Sequence, residues 1–187
     1  LCEMTSHSTL LFGLSCVERQ WSVWTRIDPE SSAEVWRQAF RNCLNGIWER
    51  FPDVEIPELL IAEPEEWARR LDCIFSSGDP TLVVVSSILQ TLIDFFSAIS
   101  GGEVDYIREF SAYRNLDLIE SYEEVATEAV SLCFDEKPTH IQNMFLTEMK
   151  RQNECLFLLK DMKDQPLDAL SLAVRHQIQG GDSDLFL

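Results

Sequence analysis

The side chains best suited to catalysis or metal binding in this chain are its histidines and cysteines. The three histidines, His7, His140 and His176, stand alone: none has a metal-binding partner at a helical spacing such as H-E-x-x-H. There are six cysteines and no C-x-x-C pair, and several fall on apolar helix faces, where a thiol behaves as a small hydrophobic group. The pattern predicts no catalytic residue and no metal ligand. An enzyme whose Cys or acidic site is assembled in space is the remaining alternative.

The glycine pairs predict no nucleotide or other cofactor. Gly101–Gly102 and Gly180–Gly181 both follow predicted helices, whereas a phosphate-binding loop precedes its helix and usually brings a lysine. The terminal "GGDSDLFL" lacks the spaced oxygen ligands and closing glutamate of a calcium loop. The glycines are therefore interpreted as helix terminators.

The cysteines also indicate a compartment. Cys2, Cys16, Cys43, Cys73, Cys133 and Cys155 lack the spacing of a disulfide-rich secreted domain, which favours a reducing, intracellular location in cytoplasm or nucleus. The first residues, "LCEMTSHSTLLFGLSC", have no basic region before their short apolar run and no initiating methionine. We expect a fragment of a longer chain, with residues 1–16 poorly ordered and 182–187 forming a tail.

The charge balance excludes several classes of partner. The chain has 32 acidic and 15 basic residues, a formal net charge of -17. Such a field repels phosphate backbones, and nucleic-acid binding requires clustered Lys and Arg. Direct binding to DNA, RNA or anionic lipid is therefore not expected, and another protein with a basic segment is the predicted partner.

An acidic run between Asp117 and Glu136 is the first candidate surface for that partner. It contains no Lys or Arg, and its helical spacing places Glu120, Glu124 and Glu128 on one side, with Glu123 adjacent. These four glutamates are predicted to bind a basic segment by electrostatic steering. The alternative is that they form a solvated helix face.

Two tryptophans form the second candidate surface. All five tryptophans fall in the first 67 residues, and tryptophan is favoured both in cores and at interface hot spots. Trp36 and Trp48 share an apolar helix face, which favours core packing. Trp21 and Trp24 stand among charged neighbours in "ERQWSVWTR", so we predict that they contact the partner.

Helical periodicity and proline punctuation predict the elements that must carry these residues. Apolar residues recur at three- and four-residue steps over 31–51, and prolines open most of the later stretches. The predicted helices number about eight, with short loops and no credible alternating strand. They cover 31–51, stretches from Pro57 and Pro64, 80–100, 103–113, 116–134, 139–162 and 166–178.

The stretch from Pro80 to Ser100 is apolar and long enough to cross a bilayer. As a helix it would measure roughly 31 Å, which matches a hydrocarbon core. However, Ser86, Gln90 and Asp94 form a polar stripe along it, and no Lys or Arg nearby would orient insertion. We therefore predict a buried core helix at the centre of a globular fold rather than a membrane span.

Together these observations predict one all-α domain spanning residues 1–187. The favoured architecture is a compact bundle of about eight helices around the hydrophobic central helix, and the alternative is a short array of HEAT or armadillo type. The favoured function is an interaction module, acting as adaptor, scaffold subunit or inhibitor in an intracellular complex. An acidic decoy that captures a nucleic-acid-binding or host regulatory factor is the second possibility, and the enzyme is the third. The oligomeric state is left open.

Overall fold

The computed structural model describes residues 5–27, 34–51, 80–101, 106–107, 112–116 and 139–180. Within these ranges every regular element is a helix, so the predicted all-α class is confirmed. A short helical segment also covers residues 112–116. The five long helices are α1 (Ser6–Ile27), α2 (Glu34–Arg50), α3 (Pro80–Gly101), α4 (Thr139–Asp161) and α5 (Leu167–Gly180).

The first helix, α1, begins at a side-chain cap and is then buried over several turns. The amide of Ser8 donates to Thr5 Oγ1 at 3.2 Å, which satisfies one of the free N–H groups at the helix start. Every residue from Ser8 to Val17 is buried. Residues 6–16 were expected to be poorly ordered, but they belong to this helix. Both the apolar and the small polar side chains of the helix are covered, so it supplies much of the described core.

Helix α2 buries the face that the periodicity predicts. Phe40, Cys43, Leu44, Ile47 and Trp48 are all buried, and they recur at three- and four-residue steps. The helix ends at Arg50, two residues before Pro52. This is expected, because proline cannot continue the hydrogen-bond ladder of a helix. The predicted caps, Ser31 and Ser32, lie outside the described residues.

Helix α3 has nearly the predicted bounds and carries the most apolar sequence of the five. Ile88, Leu92, Phe95 and Phe96 have less than 2% of their surface exposed. The Phe96 ring stacks on Phe40 of α2 with centroids 5.7 Å apart. Thus α3 is a core helix, and its aromatic side chains join it to α2.

Helices α4 and α5 follow each other with a short connection. The amide of Gln165 donates to the carbonyl of Met162 at 2.9 Å, and the amide of Leu170 donates to Pro166 at 3.0 Å, the first bond of α5. Asp168 lies in the first turn of α5, where a negative charge is favourable. The two helices pack against each other, and both pack against α1.

The helix count differs from the prediction. The described ranges contain six helices, counting 112–116, where about eight were predicted. Those predicted near Pro57 and Pro64 and over 117–134 fall on residues outside these ranges. Among the described helices, α1 packs against α3, the predicted central helix, and also against α4 and α5.

None of the helices in the described ranges is at once long enough and apolar enough to cross a bilayer. This includes α3, whose length alone had raised the question.

Candidate functional site

A buried ion pair joins the first and fourth helices. Arg19 of α1 donates from Nε to Glu148 Oε2 at 2.9 Å and from Nη2 to Glu148 Oε1 at 3.0 Å. The two side chains are 6% and 0% exposed. Burial opposes the positive charge of Arg19, but the carboxylate of Glu148 outweighs it, so the pKa of Arg19 lies above its ordinary value. The guanidinium and the carboxylate therefore satisfy each other inside the core.

Three side-chain amides complete the hydrogen bonding of this pair. Asn115 Nδ2 donates to Glu148 Oε1 at 2.7 Å and to the carbonyl of Cys16 at 3.2 Å. Gln152 Nε2 donates to the same Oε1 at 2.9 Å and to the carbonyl of Ala112 at 3.1 Å. Gln20 Nε2 donates to Asn115 Oδ1 at 2.7 Å. We call Arg19, Gln20, Asn115, Glu148 and Gln152 the polar cluster.

The polar cluster connects three separate parts of the chain. Arg19 and Gln20 come from α1, Asn115 from segment 112–116, and the remaining two residues from α4. Gln20 Oε1 is buried without a hydrogen-bond partner among the described residues, and such a group costs free energy. A cluster that is otherwise satisfied fixes the relative position of the three parts, since each charge requires its partners. Its geometry indicates a structural role.

Two thiols adjoin the polar cluster and share its burial. Burial raises the pKa of Cys16 to about 12, although the nearby Arg19 charge opposes the shift. Burial also raises the pKa of Cys155, whose Sγ lies 3.5 Å from Ser15 Oγ. Both are free thiols, as is Cys43 of α2, where burial raises the pKa to about 11. Since the thiolate is the nucleophile, these three cysteines are poorly suited to covalent catalysis at neutral pH.

A second, more exposed polar group explains the position of Trp21. Arg41 of α2 donates to Glu18 Oε1 at 3.1 Å, and Trp48 Nε1 donates to that same oxygen at 2.7 Å. The Arg41 guanidinium lies 5.7 Å from the centroid of the Trp21 ring, within cation–π range. Trp21 is only partly exposed and packs against the core. In the described structure Trp21, a predicted partner residue, therefore lies at the contact between α1 and α2.

The other predicted partner residues are not brought together by the described structure. Trp24 belongs to α1, but its side chain lies outside the described part. Glu120, Glu123, Glu124 and Glu128 lie outside the described residues altogether. The acidic surface and its partner remain predictions.

An exposed apolar face on α4 is the candidate site that the sequence alone did not single out. Leu146 and Phe157 are each 64% exposed and Met149 is 44% exposed. The steps of three, eight and eleven residues place all three side chains on one side of α4, opposite Glu148 and Cys155. Lys150, Asn153 and Glu154 are exposed among them. We call the side formed by these six residues the α4 outer face.

The signal for the α4 outer face was present but ambiguous. Helix α4 has apolar residues around most of its circumference, including "CLFLLK", so periodicity cannot tell which of them turn inward. Glu148 and Gln152 point into the core and Phe157 points out, the reverse of what hydropathy favours. In this arrangement Glu148 meets the buried Arg19.

Comparison with known proteins adds no relative. No family model, no curated protein and no solved structure matches the chain. Among the residues that the structure describes, no group of three or more His, Cys, Asp or Glu side chains could hold a metal ion. The function is therefore argued from the surfaces themselves.

Proposed function

We propose that this chain is a helical protein–protein interaction module, an adaptor, scaffold subunit or inhibitor within an intracellular complex. The observation that carries the proposal is the α4 outer face, on which Leu146, Met149 and Phe157 are exposed together. Single exposed apolar side chains are ordinary, whereas a group of them on one helix face is typical of a docking surface.

Covering this face with a partner would favour binding. Burying a Leu, Met or Phe side chain contributes about 1.5 to 3 kcal/mol relative to leaving it exposed. Lys150 and Glu154 lie between Met149 and Phe157 along this face and add charge of both signs to it. A helix of this kind binds in a groove or against another helix through anchors at three-, four- and seven-residue steps.

The module itself is proposed to be a compact bundle with α1 at its centre. The packing of α1 against α3, α4 and α5, together with the polar cluster, supports this architecture over a helical array. A compact domain of 187 residues has a radius of gyration of about 16 Å. Small-angle scattering that gives a clearly larger value would favour the elongated array of repeats.

The acidic run supports a second contact with the same or another partner. Glu120, Glu124 and Glu128, with Glu123, are proposed to steer a basic segment of that partner toward the module. Changing Glu120, Glu124 and Glu128 to Gln should slow association and flatten its salt dependence. Unchanged association at every salt concentration would leave the run as a solvated helix face.

Intracellular location is supported by the thiols. Cys16, Cys43 and Cys155 are free and buried, as expected for a protein that folds in a reducing compartment. Mass spectrometry of the protein taken from its own cells should find these three cysteines reduced. A stoichiometric disulfide at any of them would contradict the proposed location.

The binding proposal is tested by photo-crosslinking in the cell of origin. A photoreactive phenylalanine analogue placed at position 157 should form a discrete adduct with a protein. The same analogue at position 172 is the matched control, because Leu172 is 56% exposed but lies on α5. The change Leu146→Ser should abolish the adduct from position 157. No adduct from position 157, or equal adducts from positions 157 and 172, would refute an interaction role for the α4 outer face.

A further inference from the structure

We infer that the partner of the α4 outer face is a second copy of this chain, paired antiparallel with the first through α4. This inference rests on the proposed function, since it identifies the occupant of the same face. It is carried by the order of apolar and charged residues along α4, which is complementary to itself when the helix is reversed.

The apolar residues determine where the two helices would cross. Leu146 and Phe157 are eleven residues apart, roughly 16 Å along the helix axis, and both are 64% exposed. In a symmetric antiparallel pair, Leu146 of one copy lies opposite Phe157 of the other when the twofold axis passes between residues 151 and 152. Each copy then buries both of its exposed anchors against the anchors of its partner, as an isologous interface requires.

The charged residues, taken separately, give nearly the same position for the axis, shifted by half a residue or about 0.75 Å along the helix. Lys150 and Glu154 are one turn apart, and the midpoint between them is residue 152. An axis at that point places Lys150 of each copy opposite Glu154 of the other. Asn153, also exposed, lies beside the same Lys150. Apolar and ionic complementarity therefore select one arrangement, whereas a parallel pair would place Lys150 opposite Lys150.

The ion pair that Lys150 and Glu154 form within one chain does not oppose the formation of ion pairs between two chains. Within one chain Lys150 Nζ lies 3.7 Å from Glu154 Oε1, and the two side chains are 76% and 51% exposed. Exposed pairs of this type contribute little to stability, so the side chains are free to bond across the interface.

The size and charge of the chain determine the strength of association. One helix face per copy is a small interface, and two chains of net charge -17 repel each other at long range. A reversible dimer with a dissociation constant in the micromolar range is therefore expected, rather than an obligate one.

Sedimentation equilibrium at physiological ionic strength tests the inference. The unaltered chain should show a concentration-dependent monomer–dimer equilibrium. Leu146→Ser and Phe157→Ser should each raise the dissociation constant about tenfold or more, because each removes an apolar anchor twice in the symmetric pair. Leu172→Ser on α5 should leave the constant unchanged. A monomer up to roughly millimolar concentration, or a dimer unaffected by Leu146→Ser and Phe157→Ser, would overturn the inference.

A charge exchange tests the antiparallel order specifically. Lys150→Glu and Glu154→Lys should each weaken the dimer by about threefold or more, because each creates two like-charge contacts. The combined variant, Lys150→Glu with Glu154→Lys, should return to within about twofold of the unaltered chain. A combined variant as weak as the single ones would contradict the pairing. Circular dichroism of each variant verifies that the monomer keeps its helices.

Crosslinking at position 157 separates this inference from the proposed function. An adduct of twice the chain mass supports the second copy. An adduct with a different protein, together with a monomer in sedimentation, would leave the interaction role standing and refute self-association. No adduct of either kind, together with a monomer, would refute both.

Discussion

Helices α1 and α3 have the same length, 22 residues, yet their burial runs against their composition. Helix α3 is much the more apolar, but Ser97 and Ser100 are exposed on it and Asp94 is only half-buried. Helix α1 carries more polar side chains, but from Ser8 to Gln20 only Glu18 is less than fully buried. The position of a helix among its neighbours, rather than its hydropathy, determines how much of it is covered.

The buried groups of the two helices are also stabilised in different ways. In the described part of α3 the buried groups are apolar except for Thr91, whose hydroxyl donates to the carbonyl of Ser87 in the same helix at 2.9 Å. In α1 the buried Arg19 and Gln20 require partners, and these come from Glu148 and Asn115. A helix with polar side chains can therefore be buried because distant parts of the chain supply the matching groups.

The largest effect is expected where one partner of the buried ion pair is removed. Arg19→Met should lower the free energy of unfolding by about 3 to 5 kcal/mol, because Glu148 would remain buried without its cation. Urea unfolding followed by circular dichroism measures the change. The double variant Arg19→Met/Glu148→Leu should recover part of the loss, since no charge is then left unpaired although Asn115 and Gln152 each lose an acceptor. A single variant that costs less than about 1 kcal/mol would show that the pair is solvated.

A comparable or slightly smaller loss is expected from a cavity in α3. Phe95→Ala should cost about 3 to 5 kcal/mol, because the side chain is fully buried and its neighbours relax only partly. Unlike Arg19→Met, Phe95→Ala leaves no unpaired charge behind. No second substitution can therefore restore stability by removing a partner. Ser97→Ala, two residues away and exposed, is the matched control and should change stability by less than about 0.5 kcal/mol.

Intermediate effects should distinguish the members of the polar cluster. Asn115→Ala should lower stability by about 1 to 3 kcal/mol, because Gln20 Nε2 and Glu148 Oε1 each lose a buried hydrogen bond. Gln20→Met should cost less, because it also removes the unpartnered Oε1. Thermal unfolding of the two variants side by side measures the order. The reverse order would mean that Gln20 makes a contact that the described residues do not account for.

The smallest effect concerns the partly buried carboxylate of α3. Burial raises the pKa of Asp94, although the hydrogen bond from Gln90 and the charge of Arg114 lower it. The fold therefore favours the protonated carboxyl. The stability that Asp94 contributes is present below its unfolded pKa and is lost as pH rises through its folded pKa.

The test is the change Asp94→Asn, which is neutral and keeps an oxygen that can accept from Gln90. The variant should be slightly more stable than the unaltered chain at pH 7, and the difference should disappear on acidification. Urea unfolding at several pH values follows the difference. Asp164→Asn, at an exposed position, is the control. A variant less stable at neutral pH would show that the contact with Arg114, at 3.5 Å, outweighs burial.

The fold was partly predictable from local patterns. The core face of α2, the start of α3 at Pro80 and the start of α4 at Thr139 follow from periodicity and from proline and threonine signals, which act within one turn of the chain. The helix at Ser6–Ile27 was not predicted. Its run of small polar and apolar residues has no simple period, because the helix is covered on several sides.

The candidate site was less predictable than the fold. Trp21 is predicted to contact a partner on the basis of its charged neighbours, and only the structure shows that Arg41, 20 residues away in sequence, lies 5.7 Å from the centroid of its ring. Leu146, Met149 and Phe157 fit a core face as well as a surface. Which side of α4 turns inward depends on a residue 129 positions earlier, and no local pattern contains that information.

What the sequence by itself determined is therefore the helical class, the net charge and the bounds of the elements that begin or end at proline. These depend on interactions within a few residues. The tertiary structure alone decided that α1 packs against three other helices, that Arg19 and Glu148 pair inside the core, and that the α4 outer face remains exposed. The reason is physical: an unpaired buried charge costs several kcal/mol, so the pairing of two distant residues determines which sides of α1 and α4 meet.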